Sequence, residues 1–498
     1  MEIYPNLDTA EGLSREYGKI PVMSRAMADM TTPVNLFLAV KEKYPLCYLM
    51  ESAETNQVYG RYSFVGYDVS TRITFKDGKL RIAQRNAADS ETVTETETSD
   101  PFLILDKHIK RNISPILPSM PKFTCGLSGY FGYDTVRYAE PTVKDCPTDD
   151  LRTPEIDLVD CRRIIVFDHH KASVTLITNI TGDWDDSLPL AEKYSNAENI
   201  LKEMSETVNT AYPQKLYAYD KKFTISSLVS QELFTENVRR AKDYITNGDI
   251  FQVVLSRRVD ISDPPDPVSV YRSLRSFEPS PYMYCFSFGD TAVVGSSPEK
   301  LVSVENGLVV TNPIAGTIRR GADAKEDANN ERKLINDEKE RAEHIMLVDL
   351  SRNDIGKICD FGTVNVDKFM EIGKYSKLMH IVSQVSGNLK KDLGLLSVLG
   401  AVLPAGTLSG APKIRAMQII DELEPAKRGL YGGAIGYIGY NGIMDMCIAI
   451  RTAFFKDGKA YIQSGAGIVA DSDPLREFEE SRTKSAAMLS AFEKAGEI

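Results

Sequence analysis

Short apolar runs separated by Asn-Gly or Asp-Gly pairs recur along the chain and predict β-hairpins. The pairs are Asp77-Gly78, Asn306-Gly307, Asn441-Gly442 and Asp457-Gly458. Such pairs suit two-residue turns because both residues of the turn adopt positive φ. Hairpins of this kind predict extensive antiparallel sheet rather than a doubly wound parallel sheet. The last two share a strand, so residues 434–464 are predicted to form a three-stranded meander.

Apolar residues at helical spacing predict helices between these hairpins. The predicted spans are 236–248, 331–350, 411–424 and 474–493. The first ends at Gly248, a residue suited to the position after a helix C-terminus. In the second, Leu334, Ile345 and Val348 define the predicted buried stripe. A different face carries Glu340, Glu343, His344 and Leu347. Sheets and helices together predict an α+β chain.

The length of the chain indicates more than one structural unit. At 498 residues it is long for a single hydrophobic core, so two lobes are expected. Residues 200–222 carry no clear motif and precede the motif-dense half. The predicted division is therefore an N-terminal lobe at 1–222 and a C-terminal region at 223–498.

Composition and charge exclude several classes of protein. A net charge of −11 disfavours binding to nucleic-acid phosphates and to anionic membrane surfaces. The N-terminal residues contain no signal-peptide core, and no apolar run is long enough to span a membrane. The 7 cysteines are scattered without a C-x-x-C pair, which is typical of reduced thiols in a cytoplasm.

Two carboxylate doublets mark candidate chemistry. Glu340 and Glu343 lie in EKERAEH, and Glu477 and Glu480 lie in DPLREFEESRTKS. Glutamates three apart share one helix face, and two such faces brought together offer oxygen ligands for Mg²⁺. The alternative is that each doublet belongs to a solvated helix face beside lysine and arginine neighbours.

Glycine-rich segments surround the doublets and favour the functional interpretation. They are PIAGT, GTLSGAPK and SGAGIVADSDP. Gly465 and Gly467 would let backbone N–H groups approach a carboxylate closely, although a pair of turn glycines explains them equally well. Together the segments indicate a pocket for a small anionic substrate bound through a metal ion.

These motifs also carry a family resemblance. The segments concerned are GDIFQVVLSRR, PSPYMYCF, GSSPEKLV, PIAGT, DEKERAEHIMLVDLSRNDIG, MHIVSQVSG, PAGTLSGAPKIRAM, GLYGGAIGY, IAIRT and QSGAGIVADSDPLREFEESRTK. In this order they resemble anthranilate synthase component I, the large chorismate-using subunit of the first committed step in tryptophan synthesis. The match covers 225–490 and extends more thinly through YLMES, RYSFVGYD and GYFGYDTVRYAE.

The resemblance implies a fold and a reaction. The fold is a two-lobed body of large antiparallel sheets packed as a sandwich with flanking helices. In the reaction, ammonia attacks C2 of chorismate, the C4 hydroxyl departs, and aminodeoxyisochorismate then loses pyruvate to give anthranilate. The four doublet glutamates would hold the Mg²⁺ that anchors the ring carboxylate.

The resemblance also assigns roles to individual residues. Glu299 matches the general acid for the departing hydroxyl, His380 the histidine of pyruvate elimination, and Thr407 the neighbour that positions substrate. The expected substrate-binding residues are Gly316, Thr317, Tyr431, Arg451, Gly465, Gly467 and Lys484. Without the resemblance, Glu299 reads as a surface acid at a strand end and His380 as a structural histidine.

Two positions discriminate among related activities. Isochorismate and salicylate synthases place a water-activating lysine where this chain has Gln252. Aminodeoxychorismate synthases typically have a nucleophilic lysine where this chain has Ala315. Both residues favour anthranilate synthase over those enzymes. A non-catalytic subunit that keeps the fold for interaction is disfavoured because all four glutamates, His380 and Thr407 are present.

Regulation and ammonia supply follow from the same resemblance. YLMES and PSPYM match a feedback pocket for L-tryptophan, which implicates Glu51, Ser52, Pro281, Tyr282 and Met283; core packing between the lobes is the alternative. The chain contains no glutaminase nucleophile motif. A separate glutamine amidotransferase subunit is therefore expected, in a heterodimer or a dimer of heterodimers.

Overall fold

A computed structural model describes residues 2–29, 31–52, 60–85, 90–144, 147–180, 188–211, 222–375 and 378–496. The helices in these ranges are α1 (Leu7–Leu13), α2 (Pro33–Lys43), α3 (Pro101–Arg111), α4 (Val136–Ala139), α5 (Leu190–Thr210), α6 (Gln231–Thr246), α7 (Pro267–Phe277), α8 (Ala324–Asn336), α9 (Glu338–Gly356), α10 (Leu395–Val402), α11 (Lys413–Leu423) and α12 (Pro474–Lys494).

The strands of the N-terminal half are β1 (Ile3–Tyr4), β2 (Ile20–Met27), β3 (Leu46–Glu51), β4 (Tyr62–Lys76), β5 (Lys79–Arg85), β6 (Glu91–Glu97), β7 (Gly126–Phe131), β8 (Ile156–Asp168) and β9 (Ser173–Ile180). The later strands are β10 (Thr224–Ser227), β11 (Gln252–Ser262), β12 (Tyr282–Phe288), β13 (Thr291–Ser297), β14 (Lys300–Glu305), β15 (Leu308–Thr311), β16 (Ile314–Arg319), β17 (Asn365–Lys374), β18 (Leu378–Asn388), β19 (Gly410–Ala411), β20 (Ala434–Gly439), β21 (Met444–Ile448), β22 (Thr452–Lys456) and β23 (Lys459–Ile468).

The strands form two large antiparallel sheets. The first runs β1–β2–β9–β8–β4–β3–β12–β13–β22–β23–β11–β10. The second runs β6–β5–β4–β8–β7–β20–β21–β14–β15–β18–β17, with β16 also paired to β18. Strands β4 and β8 belong to both sheets, so the sheets join along these long strands.

Strands that pass between the sheets bend at residues with left-handed backbone. In β4 the bend follows Asp68, at φ 58°, where the register with β8 shifts between Val69 and Thr71. Between β21 and β22 the chain turns at Arg451, at φ 49°. Bulges and bends of this kind let one strand serve two packed sheets.

Hydrophobic side chains fill three layers around these sheets. Aromatic residues such as Tyr48, Tyr130, Phe286 and Phe454 occupy the space between the two sheets. Helices α2, α5, α7 and α12 cover the outer face of the first sheet, and α3, α9 and α10 cover that of the second. The architecture is helix, sheet, sheet, helix, which confirms the predicted α+β sandwich of antiparallel sheets.

Three of the predicted hairpins have the expected two-residue turns. Asp77-Gly78, Asn306-Gly307 and Asp457-Gly458 show positive φ at both positions. The prediction for Asn441-Gly442 was wrong in detail, because only Gly442 has positive φ and the strands pair from Ile438 and Met444 outward. The three-stranded meander was also wrong, since its shared strand is broken into β21 and β22.

The predicted helix at 331–350 is two helices. Asp337 ends α8 and caps α9, accepting hydrogen bonds from the backbone N–H groups of Lys339 and Glu340 at 3.0 Å each. Ile345, predicted to be buried, is 42% exposed, whereas His344 is fully buried. The reason is that the packing of α9 on β18 determines which side of the helix faces the core. The positions of the apolar residues in the sequence did not identify that side.

The predicted lobe boundary near 222 does not coincide with a gap between sheets. Strand β3 pairs with β12, and β7 pairs with β20, so both sheets contain strands from either side of 222. The division into 1–222 and 223–498 stays a prediction. No helix in the described ranges combines the length and apolar character needed to cross a membrane. The six described cysteines are free and buried, and Cys146 lies outside the described residues.

Candidate active site

Glu299 lies in the tight connection between β13 and β14. Its Oε1 accepts a hydrogen bond from Thr407 Oγ1 at 3.0 Å, which joins this turn to the 406–408 segment. Burial raises the pKa of Glu299 to about 7, against smaller lowering effects of the Thr407 hydrogen bond and the charges of Lys484 and Arg451. A carboxyl group with this pKa carries a proton in a large fraction of molecules at neutral pH and suits general acid catalysis.

His380 lies on β18 directly opposite Thr317 of β16. Its Nδ1 is 2.9 Å from the carbonyl oxygen of Gly316 and 3.1 Å from Thr317 Oγ1. A carbonyl oxygen only accepts, so Nδ1 carries the proton and donates it to Gly316. Burial lowers the pKa of His380. The ring is therefore neutral at pH 7, and Nε2 has the lone pair of a base.

Arg451 contributes from the break between β21 and β22. Its Nη1 donates to Glu278 Oε1 at 2.9 Å, and its side chain is 30% exposed. The charge of Arg451 lowers the pKa values of both Glu299 and His380, so the guanidinium is near enough to act on both groups. The family resemblance predicts that Arg451 contacts the substrate. The structure shows that Arg451 also pairs with the carboxylate of Glu278 in the same chain.

Two glycines of β23 lie against polar side chains. A Cβ atom on Gly465 would meet Tyr431 Oη at 3.0 Å, and one on Gly467 would meet Gln252 Nε2 at 2.7 Å. The missing side chains therefore make room for a hydroxyl and an amide beside the strand. Burial raises the pKa of Tyr431, so its phenol stays protonated and can donate a hydrogen bond.

The carboxylate doublets lie in the first two turns of α9 and α12, with Glu340 and Glu477 in the first turn. Burial raises the pKa of Glu340, and the nearby charges of Glu343 and Glu480 raise it further. Burial also raises the pKa of Glu477, with Glu480 adding to the rise. Lys484 Nζ lies 2.8 Å from Glu480 Oε1. The two doublets thus influence one another across the helices.

Glu340 also connects the doublets to the rest of the site. A Cβ atom on Gly316 would meet Glu340 Oε2 at 3.0 Å, so this carboxylate lies against β16 beside His380. Acids and bases from β16, β18, α9, α12 and the turns after β13 and β21 therefore surround one region. Contacts and charge effects connect Glu299, Thr407, His380, Gly316, Thr317, Glu340, Arg451 and Lys484. Tyr431 lies beside Gly465, and Gly467 lies beside Gln252, as a separate set of contacts on β23.

The metal prediction has mixed support from the geometry. Carboxylate oxygens are the donors Mg²⁺ prefers, and like charges that raise each other's pKa favour a neutralising cation. Within the described ranges, however, no three His, Cys, Asp or Glu side chains are grouped closely enough to hold a metal ion. The residues fit the cation in donor type and charge, and their side chains stand apart here.

Comparisons with known proteins identify the family of the chain. The profile of the chorismate binding enzyme family matches residues 46–490. The chain is 44% identical over 498 residues to anthranilate synthase component 1 of Acetivibrio thermocellus, covering 99% of both proteins. The chain belongs to the anthranilate synthase component I family. It is also 43% identical to the same component of Pseudomonas aeruginosa, covering 95% of this chain and 96% of that protein.

Solved structures place the fold in the same group. Anthranilate synthase component I from Streptococcus pneumoniae superposes with a TM-score of 0.75 at 37% identity, covering 87% of this chain and 93% of that one. The menaquinone-specific isochorismate synthase of Escherichia coli gives a TM-score of 0.68 at 19% identity, covering 97% and 98%. The second likeness concerns the fold alone. The chain is thus an enzyme of the anthranilate synthase component I type.

The discriminating positions of this family member lie inside the site. Gln252 is buried at the start of β11, and its Oε1 has no hydrogen-bond partner among the described residues. Ala315 is buried on β16 opposite Ile381. Neither position carries an amine: Gln252 presents an amide and Ala315 a small methyl group.

The residues predicted to bind tryptophan lie together at the ends of β3 and β12. Glu51 is directly opposite Met283, and both are buried. The Glu51 carboxylate accepts hydrogen bonds from Tyr271 Oη, from Ser63 Oγ at 3.1 Å and from Arg275 Nε at 3.0 Å. We call these four polar residues, Glu51, Ser63, Tyr271 and Arg275, the Glu51 cluster.

The other predicted members are neighbours in sequence, and Tyr282 lies on the opposite face of β12 from Met283, in the layer between the sheets. Tyr282 Oη donates to Asp445 Oδ1 at 2.9 Å, and Pro281 precedes it at the start of β12. The Ser52 hydroxyl is buried and has no hydrogen-bond partner among the described residues. Residues 53–59, which follow Ser52, lie outside the described ranges.

Sequence reasoning missed two supporting contacts. Glu278, the partner of Arg451, precedes PSPYM without any periodic or motif signal of its own. Arg428 is buried and bonds to Glu424 and to the carbonyl oxygens of Leu408 and Val254. Glu424 and Arg428 are four residues apart, which is the spacing of an ion pair on a helix. Because Pro425 lies between them and disfavours a helix, this ion pair could not be predicted from the sequence.

Replacement of Gly316 by alanine tests the crowding beside Glu340. Gly316 has φ 67° and would place Cβ 3.0 Å from Glu340 Oε2. We expect Gly316→Ala to cost about 1–2 kcal/mol of stability and to lower kcat/KM for chorismate by roughly tenfold or more. Gly307→Ala is the matched control, since φ is 77° and nothing lies within 4 Å. Equal losses of activity in the two variants would contradict the assignment of Gly316 to the site.

Proposed function

We propose that the chain converts chorismate and ammonia to anthranilate and pyruvate through aminodeoxyisochorismate, the first committed step of L-tryptophan synthesis. The observation that carries this proposal is Glu299, a buried carboxyl group that accepts a hydrogen bond from Thr407 and whose pKa burial raises to about 7, against the lowering charges of Lys484 and Arg451. Such a group can deliver a proton to a leaving hydroxyl at neutral pH.

The first step needs an acid and a neutral nucleophile. Ammonia forms a bond to C2 of chorismate while the bond from C4 to its hydroxyl breaks, and Glu299 supplies the proton with which that hydroxyl leaves as water. The ammonium group formed at C2 then loses a proton, which restores the acid form of Glu299 in the overall balance. Thr407 Oγ1 holds the carboxyl in place through its 3.0 Å hydrogen bond.

The second step needs a base. Loss of the C2 proton and cleavage of the bond between C3 and the enolpyruvyl oxygen make the ring aromatic, and the released enolpyruvate takes up a proton to become pyruvate. His380 suits this step because its Nδ1 donates to Gly316, which leaves Nε2 unprotonated. Ring orientation is fixed by the same hydrogen bond.

The remaining residues bind the two carboxylates of chorismate. Arg451 offers a guanidinium fork, and Tyr431 offers a protonated hydroxyl beside Gly465. Backbone N–H groups near Gly316, Gly465 and Gly467, with Thr317 and Lys484, complete the anion-binding surface. When Mg²⁺ is bound, it supplies positive charge that anchors the ring carboxylate. Its ligands would be Glu340, Glu343, Glu477 and Glu480.

The rival reactions of this fold are less well supported. Isochorismate formation needs a base for water, and Gln252 offers an amide instead. Covalent capture of C2, as expected for aminodeoxychorismate synthases, needs a nucleophile at Ala315. A small side chain at this position leaves space for ammonia. A non-catalytic role is disfavoured because the sequence retains all four doublet glutamates, His380 and Thr407.

Ammonia supply and feedback complete the proposal. The component 1 relatives bear a name that implies a second component, and we propose a glutamine amidotransferase subunit as the source of ammonia. The Glu51 cluster, with Ser52, Pro281, Tyr282 and Met283, is the proposed binding site for L-tryptophan as inhibitor. A buried carboxylate and a Ser52 hydroxyl that has no partner among the described residues offer hydrogen-bonding groups for an amino acid.

The direct test is turnover by the purified chain. Chorismate, ammonium and Mg²⁺ should give fluorescent anthranilate without any partner subunit, with products verified by chromatography. Accumulation of an aminodeoxy intermediate would contradict the elimination role of His380. Unreacted chorismate would contradict the catalytic proposal as a whole.

Metal dependence is expected in the same assay. EDTA should abolish anthranilate formation, and Mg²⁺ in excess should restore it. Glu340→Gln should raise the Mg²⁺ concentration for half-maximal activity at least about tenfold. Glu338→Gln, an exposed carboxylate on the same helix, is the control and should leave it unchanged. Equal Mg²⁺ requirements in the two variants would rule out Glu340 as a ligand.

A further inference from the structure

Glu278 is held on three sides at the C-terminal end of α7. Its backbone N–H donates to Leu274 O at 2.9 Å, its carbonyl accepts from Ser296 Oγ at 2.6 Å, and its Oε1 accepts from Arg451 at 2.9 Å. The backbone N–H of Ser296 also donates to the carbonyl of Arg451 at 3.1 Å. Ser296 thus joins the backbones of the two residues whose side chains form the ion pair.

The ion pair uses one edge of the guanidinium. Glu278 Oε1 takes a hydrogen bond from Nη1, whereas arginine has five N–H donors in a planar fork. Side chains of the pair are 30% and 23% exposed, so the contact is only partly buried. An internal bond that restricts the orientation of the guanidinium lowers the entropy lost when a carboxylate binds its other edge.

The same helix reaches the Glu51 cluster. Tyr271 and Arg275 of α7 both donate to Glu51, and Arg275 lies one helical turn before Glu278. At about 1.5 Å per residue, the segment from Tyr271 to Glu278 is roughly 10 Å long. Helix α7 is packed against β12, β13 and α12, so it is expected to move as a body rather than bend.

We propose that Glu278 is a positioning residue that orients Arg451 for the substrate carboxylate, and that α7 links it to the Glu51 cluster. A ligand that displaces Tyr271 or Arg275 from Glu51 shifts α7 and withdraws Glu278 from Arg451, which weakens chorismate binding. The proposal rests on the proposed function, since it names how the inhibitor site acts on the substrate site.

Kinetics of Glu278 variants test the positioning role. With Mg²⁺ and ammonium in excess, Glu278→Ala should raise KM for chorismate about tenfold or more, with kcat within roughly threefold of wild type. Glu278→Gln keeps an oxygen that accepts from Arg451 and should recover KM to within about threefold. Glu236→Ala, which breaks an exposed ion pair with Arg239 on α6, is the control. An unchanged KM in Glu278→Ala overturns the positioning role, as does a Gln variant no better than Ala.

Inhibition measurements test the link through α7. In wild type, L-tryptophan should raise KM for chorismate. In Glu278→Ala this effect should largely disappear, while the Kd of L-tryptophan measured by calorimetry stays within about threefold. Retained inhibition in a variant with raised KM overturns the link. If Glu278→Ala does not fold, the Gln variant carries the comparison, with partial loss of coupling expected and full coupling contradictory.

Failure of the proposed function is recognisable separately. A wild-type chain that forms no anthranilate fails before any variant is compared. A wild-type chain that forms anthranilate but binds no L-tryptophan in calorimetry overturns the link through α7, and the KM values of the Glu278 variants still decide whether Glu278 positions Arg451.

Discussion

Glu299→Gln is expected to lower kcat by about 100- to 10,000-fold while leaving chorismate binding nearly intact. Glutamine keeps the shape of the side chain and an oxygen that accepts from Thr407, but it has no acidic proton. The decrease in kcat therefore measures the contribution of proton transfer to the departing hydroxyl. Steady-state kinetics with ammonium give kcat, and equilibrium binding of chorismate gives the affinity.

The pH dependence of the wild type checks the same assignment. Burial raises the pKa of Glu299 to about 7, so the acid form dominates below this pH and is lost as the pH rises through it. The kcat of the wild type should consequently fall about tenfold per pH unit above about 7, and the Gln variant should lack this descending limb. Ammonium must be kept in excess at each pH, because its own deprotonation changes the nucleophile concentration.

A matched control separates this effect from a general charge effect. Glu305→Gln, at the exposed end of β14, removes a carboxylate that pairs with Lys122 on the surface at 2.7 Å. Its kcat should equal that of the wild type. Two outcomes would refute the general acid assignment: a kcat within threefold of wild type in Glu299→Gln, or a descending limb that survives the substitution.

Arg428→Ala is expected to destabilise the folded chain by about 3–5 kcal/mol. Two nitrogens of Arg428 bond to both oxygens of Glu424 at 2.9 and 2.6 Å. Nη1 donates to the carbonyl of Leu408 at 2.6 Å, and Nη2, which also bonds to Glu424, donates to the carbonyl of Val254 at 2.7 Å. Truncation leaves the buried Glu424 carboxylate with only the neutral donors of Ser256 and removes the arginine donor from two carbonyls, and each lost bond to a buried group costs free energy.

Urea unfolding followed by circular dichroism measures the change. Arg482→Ala is the control, because Arg482 pairs with Glu479 on the exposed face of α12 at 3.2 Å. That pair should contribute no more than about 1 kcal/mol. A shift for Arg428→Ala no larger than for Arg482→Ala would show that the buried pair adds little. The Arg428→Ala variant should lose enzymatic activity as well as stability, because Arg428 bonds to Leu408, the neighbour of Thr407.

Local sequence signals predicted many elements well. Three Asn-Gly or Asp-Gly hairpins have two-residue turns, and the predicted helix at 474–493 matches α12 (Pro474–Lys494) within one residue. These elements depend on neighbouring residues only: turn residues that accept positive φ, and a helix that begins after the Asp473 cap. The resemblance to a known family supplied the sandwich of sheets, which hairpin signals alone left open.

Breaks inside apolar stretches were not predicted. Aspartate occurs both as a helix cap and at polar surface positions. The residues around Asp337 therefore do not show from the sequence that it is a cap. The sequence pattern predicts one continuous strand shared by the last two hairpins. In the structure this strand is broken at Arg451, where two sheets meet. Such breaks are decided by neighbours far away in the chain, here β13 for β22 and β14 for β21.

The sequence by itself determined the composition of the site: which acids, bases and glycines exist, their spacing, and the absence of lysine at Gln252 and Ala315. Only the tertiary structure decided the environment of these groups. Burial gives Glu299 its raised pKa, a carbonyl sets the tautomer of His380, and Glu278 occupies one side of Arg451. Desolvation and long-range contacts depend on how strands and helices distant in sequence pack, and no local pattern of residues encodes them.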